Sequence, residues 1–204
     1  FFSIYNSMSQ RATLVIALLL YAITAWFSEG YHHPDEHFQV LEPAHYKLGR
    51  SAASELPWEF EAQIRPGLQP ALAYGMIRVA EAIGIQHPFI QAFLMRLFSG
   101  WLCLWMFFSW ASWLDKQDSF SAAGNKLRWA VLLLWFVPYL SVRFSSENMA
   151  GLSFGTGILL LLHGLEHSGI QRQPLRLVLA GFLLGLSFFF RFQMGFALLG
   201  AGGW

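Results

Sequence analysis

The sequence predicts an all-α polytopic membrane protein, and three observations support that prediction. Of the 204 residues, 55% are hydrophobic and only 12% are charged, about half of the roughly 25% charged residues typical of soluble proteins. Aromatic residues make up 17%, and abundant Trp and Phe are typical of proteins with membrane–water interfaces. Uncharged apolar runs also recur along the chain at lengths close to one membrane span.

Charge and cysteine content exclude several other classes of protein. The net charge is +1, so no basic surface predicts a nucleic-acid partner. The single cysteine, Cys103, rules out a disulfide framework or a Cys-based metal site within the chain. The first apolar run lacks a small-residue cleavage site, which predicts a retained helix. Because the chain starts at Phe1 and stops within an apolar stretch, we expect residues 1-204 to be the N-terminal part of a single transmembrane domain.

We expect five complete membrane spans and the start of a sixth. Two of the apolar runs are shorter than the usual minimum of about 17 residues, but arginines at their ends extend the reach of such runs by snorkelling. Glycines at small-xxx-small spacing predict close packing between the later helices. The expected spans are 12-28, 97-114, 129-142, 149-165, 177-190 and the beginning of another at 192-204, and the glycines are Gly151, Gly155, Gly157, Gly181 and Gly185.

The segment Leu68 to Gly84 decides the topology. It is moderately apolar but carries Arg78 and Glu81. If it lies in the interface instead of spanning, more of the short-loop Lys and Arg residues fall on the cytoplasmic side, as the positive-inside rule favours. The loop 29-93 is then long, non-cytoplasmic and rich in acidic residues, and it should contain short interfacial helices near Pro34 to Leu48 and Leu68 to Gly84. Pro43 should kink or restart the first of these helices.

The segment HPDEHFQ, at residues 33–39, holds the candidate catalytic residues. Pro34 suits the first position of a helix, and Asp35 and Glu36 then occupy its first turn, where the helix dipole favours negative charge. A carboxylate at the membrane surface is suited to take a proton from an acceptor hydroxyl during sugar transfer. The alternative is that the two acids only cap the helix. The polar residues beside them that we expect to bind substrate are His33, His37 and Gln39.

A metal site is a further alternative, because His33 and His37 are four residues apart. However, His33 precedes Pro34 and is better suited to cap the helix than to lie within it, so the geometry of a helical HxxxH pair is doubtful. We therefore expect no metal and no cofactor.

Cationic side chains should lie on the same side of the membrane as Asp35. Arg96, Arg143 and Arg191 fall at the outer ends of the expected spans, and arginine stabilises a phosphate leaving group well. The alternative for each is snorkelling to the interface. Glu147 and Asn148, in the segment RFSSEN, would either cap the next helix or contact substrate.

The stretch HPDEHFQVLEPAH, followed by PWEF and IRPGLQP, resembles the glycosyltransferase family 22 mannosyltransferases. These include the enzymes that extend the N-glycan precursor and the GPI anchor, together with bacterial relatives. The SSEN and FFFRFQ turns are also similar to this family.

The resemblance implies a GT-C type fold whose first outer loop carries the catalytic acid. It implies inverting transfer of mannose from a polyprenyl- or dolichyl-phosphate donor to a glycan or glycolipid acceptor, without a required metal. By the same resemblance, Asp35 is the general base, Glu36 orients it or binds the acceptor, and Arg191 contacts the donor phosphate. The compact connections favour a bacterial relative in the inner membrane; a eukaryotic one would lie in the endoplasmic reticulum.

Two alternative functions remain open. A transporter or flippase of lipid-linked saccharides should carry charges deep within its spans, whereas the charges here cluster at helix ends and on one loop. A metal-dependent membrane hydrolase would need bound zinc.

Overall fold

The computed structural model describes residues 10–117, 123–166 and 174–203, and the regular elements of this part are all helical. The expected all-α class is therefore confirmed. The chain divides into two compact units: residues up to Gly30 with Arg96–Arg143, and Tyr31–Met95 with the chain from Phe144 onward. In chain order the α-helices are α1 (Gln10–Phe27), α2 (Glu42–Lys47), α3 (Trp58–Glu61), α4 (Leu68–Ala82), α5 (Pro88–Leu114), α6 (Ala123–Leu133), α7 (Phe136–Ser141), α8 (Ser146–Glu166), α9 (Pro174–Phe190) and α10 (Met194–Gly202).

Two helices are long and apolar enough to cross a membrane, judged by length and composition within the described residues. These are α5 and, in α8, Ser146–Leu165; α1 and α9 are shorter apolar helices. Large apolar side chains remain exposed on the short helices, for example Ile23 (56%) on α1 and Phe182 (61%) on α9. Such patches mark surfaces that contact lipid or another protein. The number of spans and the side of the loop remain predictions.

The first unit is held together by polar contacts between its helices. Ser99 on α5 donates to the main-chain oxygens of Ser141 and Arg143, at 3.1 and 2.9 Å. The buried Arg128 forms an ion pair with Asp115 at 2.7 Å, which offsets the cost of burying its charge.

The expected span at 129-142 is divided between α6 and α7. Pro138 has no N–H to donate to the Leu134 carbonyl four residues earlier, so the α-helical ladder cannot continue through this point. The Leu134 carbonyl instead accepts the N–H of Val137, at 2.8 Å. The interruption therefore has a local cause that the sequence already contains.

The second unit carries the long loop, which is largely helical as expected. The chain is helical from Pro34 to Lys47, but the segment Glu36–Leu41 is π-helical and α2 follows it. The Glu42 N–H donates to the His37 carbonyl five residues earlier, so the helix widens immediately before Pro43. The expected irregularity at Pro43 thus takes the form of a π-helical turn, a feature often found at functional sites.

The core of the second unit joins this loop to the later helices. It is formed by apolar side chains that are less than one tenth exposed, so the loop helix, α4 and the start of α5 pack with α8 and the end of α9. The core residues are Val40, Ala44, Ala73, Ile77, Met95, Phe144, Met149, Ala150 and Phe190.

Close packing of α8 against α9 depends on fewer glycines than the sequence suggested. A Cβ added at Gly157 would lie 2.9 Å from Leu184 Cγ, whereas one added at Gly151, Gly181 or Gly185 would meet no atom within 4 Å. The packing role is confirmed for Gly157, whereas Gly151, Gly181 and Gly185 face open space among the described residues.

Candidate active site

The candidate site starts at the helix that begins with Pro34. His33 caps this helix: its Nδ1 accepts the Asp35 N–H at 3.3 Å, and its carbonyl accepts the Glu36 N–H at 3.0 Å. The capping role expected for His33 is therefore confirmed. This cap fixes the backbone of Asp35 at the second helical position.

The Asp35 carboxylate lies beside Arg191, which follows the last residue of α9. Arg191 Nη1 is 3.5 Å from Asp35 Oδ2 and 3.4 Å from Ser146 Oγ, while its Nη2 pairs with Glu147. The other Asp35 oxygen is 3.4 Å from His33 Nδ1. The contact with Arg191 is long for a hydrogen bond, and His33 Nδ1, which accepts the Asp35 N–H, has no hydrogen to donate to the other oxygen. This half-buried carboxylate therefore retains capacity to accept a further proton donor.

Glu36 and His37 turn to other partners. The Glu36 side chain is buried, and its Oε1 accepts the backbone N–H of His32 at 3.2 Å. His37 Nε2 contacts Glu42 at 2.9 Å, and its ring stacks on Tyr31 with the ring centroids 5.6 Å apart. These contacts brace the π-helical turn from both of its ends.

The histidines of this segment do not converge on one point suited to a metal ion. His33 contacts Asp35 and His37 contacts Glu42. In residues 10–117, 123–166 and 174–203, no group of three His, Cys, Asp or Glu side chains has the proximity needed to hold a metal. Among the described residues, no such cluster supports the alternative of a metal-dependent hydrolase.

Gln39 leads to two residues that sequence reasoning did not single out. Its Nε2 donates to Glu59 at 3.1 Å, and Arg65 contacts the other oxygen of Glu59 at 2.8 Å. The hydrogen bond that Arg65 donates to Glu59 raises the pKa of Arg65. Partial burial opposes this rise, and the charges of Glu59, Asp35 and Glu147 add to it. Glu59 and Arg65 belong to the PWEF and IRPGLQP segments, which carry part of the family resemblance. Their spacing in the sequence did not predict that they would lie near the Asp35 segment.

A small cavity of about 20 Å³ lies between these groups. Its walls include Gln39, Arg65, Gln69, Ser146 and Arg191. The Gln69 amide donates to the Phe144 carbonyl at 3.0 Å. Within the part of the chain that the structure describes, neither the buried Oε1 of Gln69 nor the buried Nε of Arg65 has a hydrogen-bond partner. Unsatisfied buried polar atoms are uncommon in native structures and call for an explanation; here an acceptor and a donor belong to two residues that line one cavity, which has room for a single water-sized group.

The remaining expected site residues have other contacts. Arg96 and Arg143, in the first unit, both donate to the Gly30 carbonyl, at 2.6 and 3.2 Å. The backbone N–H of Asn148 donates to Ser145 Oγ at 3.3 Å, so Ser145 is the N-cap of α8. Substrate contact by these expected residues remains a prediction.

Comparison with known proteins identifies the family. A region of the GPI mannosyltransferase 3 of Gibberella zeae is 39% identical over 79 residues, which cover 38% of this chain and 12% of that protein. The mannosyltransferase APTG1 of Arabidopsis thaliana is 29% identical over 89 residues, 44% of this chain and 16% of its own length. The matched regions are thus less than a fifth of each relative, and no solved structure matches the chain. A match to the Alg9-like mannosyltransferase family covers residues 13–199, and the chain belongs to that family.

Proposed function

We propose that the protein is an inverting mannosyltransferase, which moves mannose from a polyprenyl- or dolichyl-phosphate donor to a glycan or glycolipid acceptor. Family membership over most of the chain and two relatives named as mannosyltransferases support the reaction type. The observation that carries the proposal is the contact of Asp35 with Arg191, because it joins a potential base to a potential phosphate ligand.

Asp35 acts as the general base in this proposal. It accepts the proton of an acceptor hydroxyl as that oxygen attacks the anomeric carbon of mannose, while the bond to the phosphate oxygen breaks on the opposite face. The Asp35 carboxylate is only half-buried, and its contacts with His33 and Arg191 are long, so it remains within reach of an incoming hydroxyl. Glu36, whose carboxylate holds the His32 backbone, positions the segment that carries Asp35.

Arg191 and Arg65 stabilise the leaving phosphate. Both line the small cavity, together with the Ser146 hydroxyl. Guanidinium groups bind phosphate oxygens through charge-assisted hydrogen bonds, which strengthen as charge develops on the leaving group. The cavity has room for no more than a water-sized group, so phosphate binding requires some of its walls to move apart.

Asp35 substitution tests the reaction. We expect Asp35→Asn in the intact protein to lower the turnover of mannose transfer by about a hundredfold or more, and Asp35→Glu to retain part of it. Glu61→Gln, an exposed acid of the same loop, is the matched control and should transfer normally. A folded Asp35→Asn variant with wild-type turnover would show that Asp35 is not the base.

The proposal also places the loop 29-93 on the non-cytoplasmic side of a multi-pass protein. Single cysteines at Glu55 and Lys116, introduced in a Cys103→Ser background, test this. Glu55→Cys should react with an impermeant reagent from outside, and Lys116→Cys only after permeabilisation. Labelling of both from outside would indicate that Leu68–Ala82 spans the membrane.

A further inference from the structure

A second and larger cavity lies beside the candidate site in the same unit. Its volume is about 510 Å³, within the range of about 300–1,000 Å³ common for small-ligand sites. Its aromatic lining residues are Phe38, Phe60 and Tyr74, and each remains more than a third exposed. Four prolines, at positions 43, 57, 66 and 70, also line it and fix much of the surrounding backbone.

The polar lining of this cavity suits a hydroxyl-rich ligand. Gln39, Glu59 and Arg65 form one hydrogen-bonded wall in which the carboxylate and the guanidinium balance each other, and the exposed Lys47 adds an ammonium group that can also donate hydrogen bonds to hydroxyls. Amide and charged groups beside aromatic faces match a sugar, whose hydroxyls form hydrogen bonds while its C–H faces pack on rings. An isoprenoid chain fits less well, because it would remove water from Glu59 and Arg65 without replacing the lost hydrogen bonds.

Gln63, which lines this cavity, has an unusual backbone conformation. Its φ is +55°, and it is the one non-glycine residue with positive φ in the described part of the chain. It follows α3 at the position where a Schellman motif usually has glycine: its N–H donates to the Phe60 carbonyl, and the next N–H, of Ile64, donates to the Glu59 carbonyl. A side chain kept in a strained backbone conformation is typical of functional sites, and this side chain lines the cavity.

The larger cavity shares part of its lining with the small cavity near the proposed catalytic base. Gln39 and Arg65 line both cavities, and Arg191 of the small cavity contacts Asp35. A ligand held here would therefore lie next to the small cavity that Arg191 lines. We infer that the larger cavity binds the saccharide head group of the acceptor, with Phe38 and Tyr74 against the sugar rings and Gln39 and Gln63 on its hydroxyls; this rests on the transfer activity proposed above.

Kinetics with separate titration of the two substrates test the inference in the intact protein. With a synthetic mannosyl glycolipid as acceptor and polyprenyl-phosphate mannose as donor, Tyr74→Ala should raise the acceptor KM by about tenfold and leave donor KM and kcat unchanged. Gln63→Gly should raise the acceptor KM without loss of thermal stability, because glycine relieves the backbone strain. Val79→Ala, at an exposed position of the same helix α4, is the control.

Each other outcome has a definite meaning. An unchanged acceptor KM in both variants overturns the inference, and a raised donor KM overturns it in favour of a cavity that holds the polyprenyl donor. If the wild type transfers no mannose, the proposed reaction is wrong. Saturation-transfer NMR with mannobiose then tests separately whether the cavity binds a saccharide. If the wild type gives mannobiose signals that Tyr74→Ala abolishes, the cavity is a saccharide site. Equal signals in the two proteins, or no signal in either, show that it is not.

Discussion

Arg191 Nη1 lies 3.5 Å from Asp35 Oδ2, and the same guanidinium pairs with Glu147. The proposed base and the proposed phosphate ligand are thus in contact, and Arg191 is shared between two carboxylates. Donor phosphate competes with two carboxylates for one arginine, so its arrival would release Asp35 for proton transfer. The order of substrate binding and the state of the base are then linked through one side chain.

Replacement of Arg191 should affect the chemical step more than folding. Arg191→Gln should lower kcat by about a hundredfold, as is common when a group that stabilises the leaving charge is removed. Arg191→Lys should retain part of the activity, because an ammonium keeps the charge but not the planar fork. Steady-state transfer assays measure both, with Arg78→Gln on the exposed face of α4 as the control. Equal turnover in Arg191→Gln and wild type would contradict the phosphate role.

Glu147→Gln should strengthen donor binding. The neutral amide no longer competes with the donor phosphate for Arg191, so we expect the donor KM to fall by about two- to fivefold, the size of a partly exposed ion pair. Donor titration at saturating acceptor measures the change. A donor KM that rises instead would mean that Glu147 holds Arg191 in its binding position.

Substitutions at Glu36 separate a positioning role from a catalytic one. Glu36→Leu removes the carboxylate acceptor of the His32 N–H and should lower the free energy of unfolding by about 0.5–1.5 kcal/mol, because His32 is exposed and water replaces the acceptor. Glu36→Gln keeps an oxygen acceptor and should retain both the fold and most of the turnover. Thermal unfolding and transfer assays on both variants check this. If Glu36→Gln folds but loses turnover as Asp35→Asn does, Glu36 takes part in the chemistry.

The contact of α8 with α9 should tolerate no side chain at Gly157. An added Cβ would lie 2.9 Å from Leu184 Cγ and 3.2 Å from the Ala180 carbonyl, so Gly157→Ala should destabilise the protein by about 1–3 kcal/mol. Gly151→Ala on the same helix meets no atom within 4 Å and should be neutral or slightly stabilising. Unfolding in detergent measures both, and equal stability of the two variants would show that the helices separate in solution.

His45 should make stability depend on pH. Burial, and secondarily the charge of Arg50, lower the pKa of His45 below its usual value of 6.5. The unfolded chain then binds a proton more readily than the folded one, so stability falls as the pH drops below about 6.5 and through the lower folded-state pKa. Unfolding between pH 5 and 8 should show a smaller loss on the acid side in His45→Gln than in the wild type. Identical pH profiles would count against this assignment.

Local sequence determined much of the helical structure. The start of a helix at Pro34, the cap by His33 and the irregularity at Pro43 follow from bonds within a few residues along the chain, which residue type alone fixes. The break before Pro138 had an equally local cause, but the uncharged run around it pointed to one continuous span. Apolar composition indicates that a segment is buried, but it does not show where a helix breaks because a carbonyl, here that of Leu134, lacks its usual N–H donor.

The tertiary structure decided which distant residues meet. Charge counting predicts that Asp35 and Arg191 lie on one side of the membrane. The contact itself, at 3.5 Å, depends on the packing of α9 with the loop helices around Val40 and Phe190. The same packing introduced Arg65, which the sequence analysis had passed over, and the fold turned Glu36 inward to the His32 backbone. The sequence by itself determined the helices, the acidic helix start and the family resemblance; the composition of the site depended on long-range packing, whose partners no local spacing specifies.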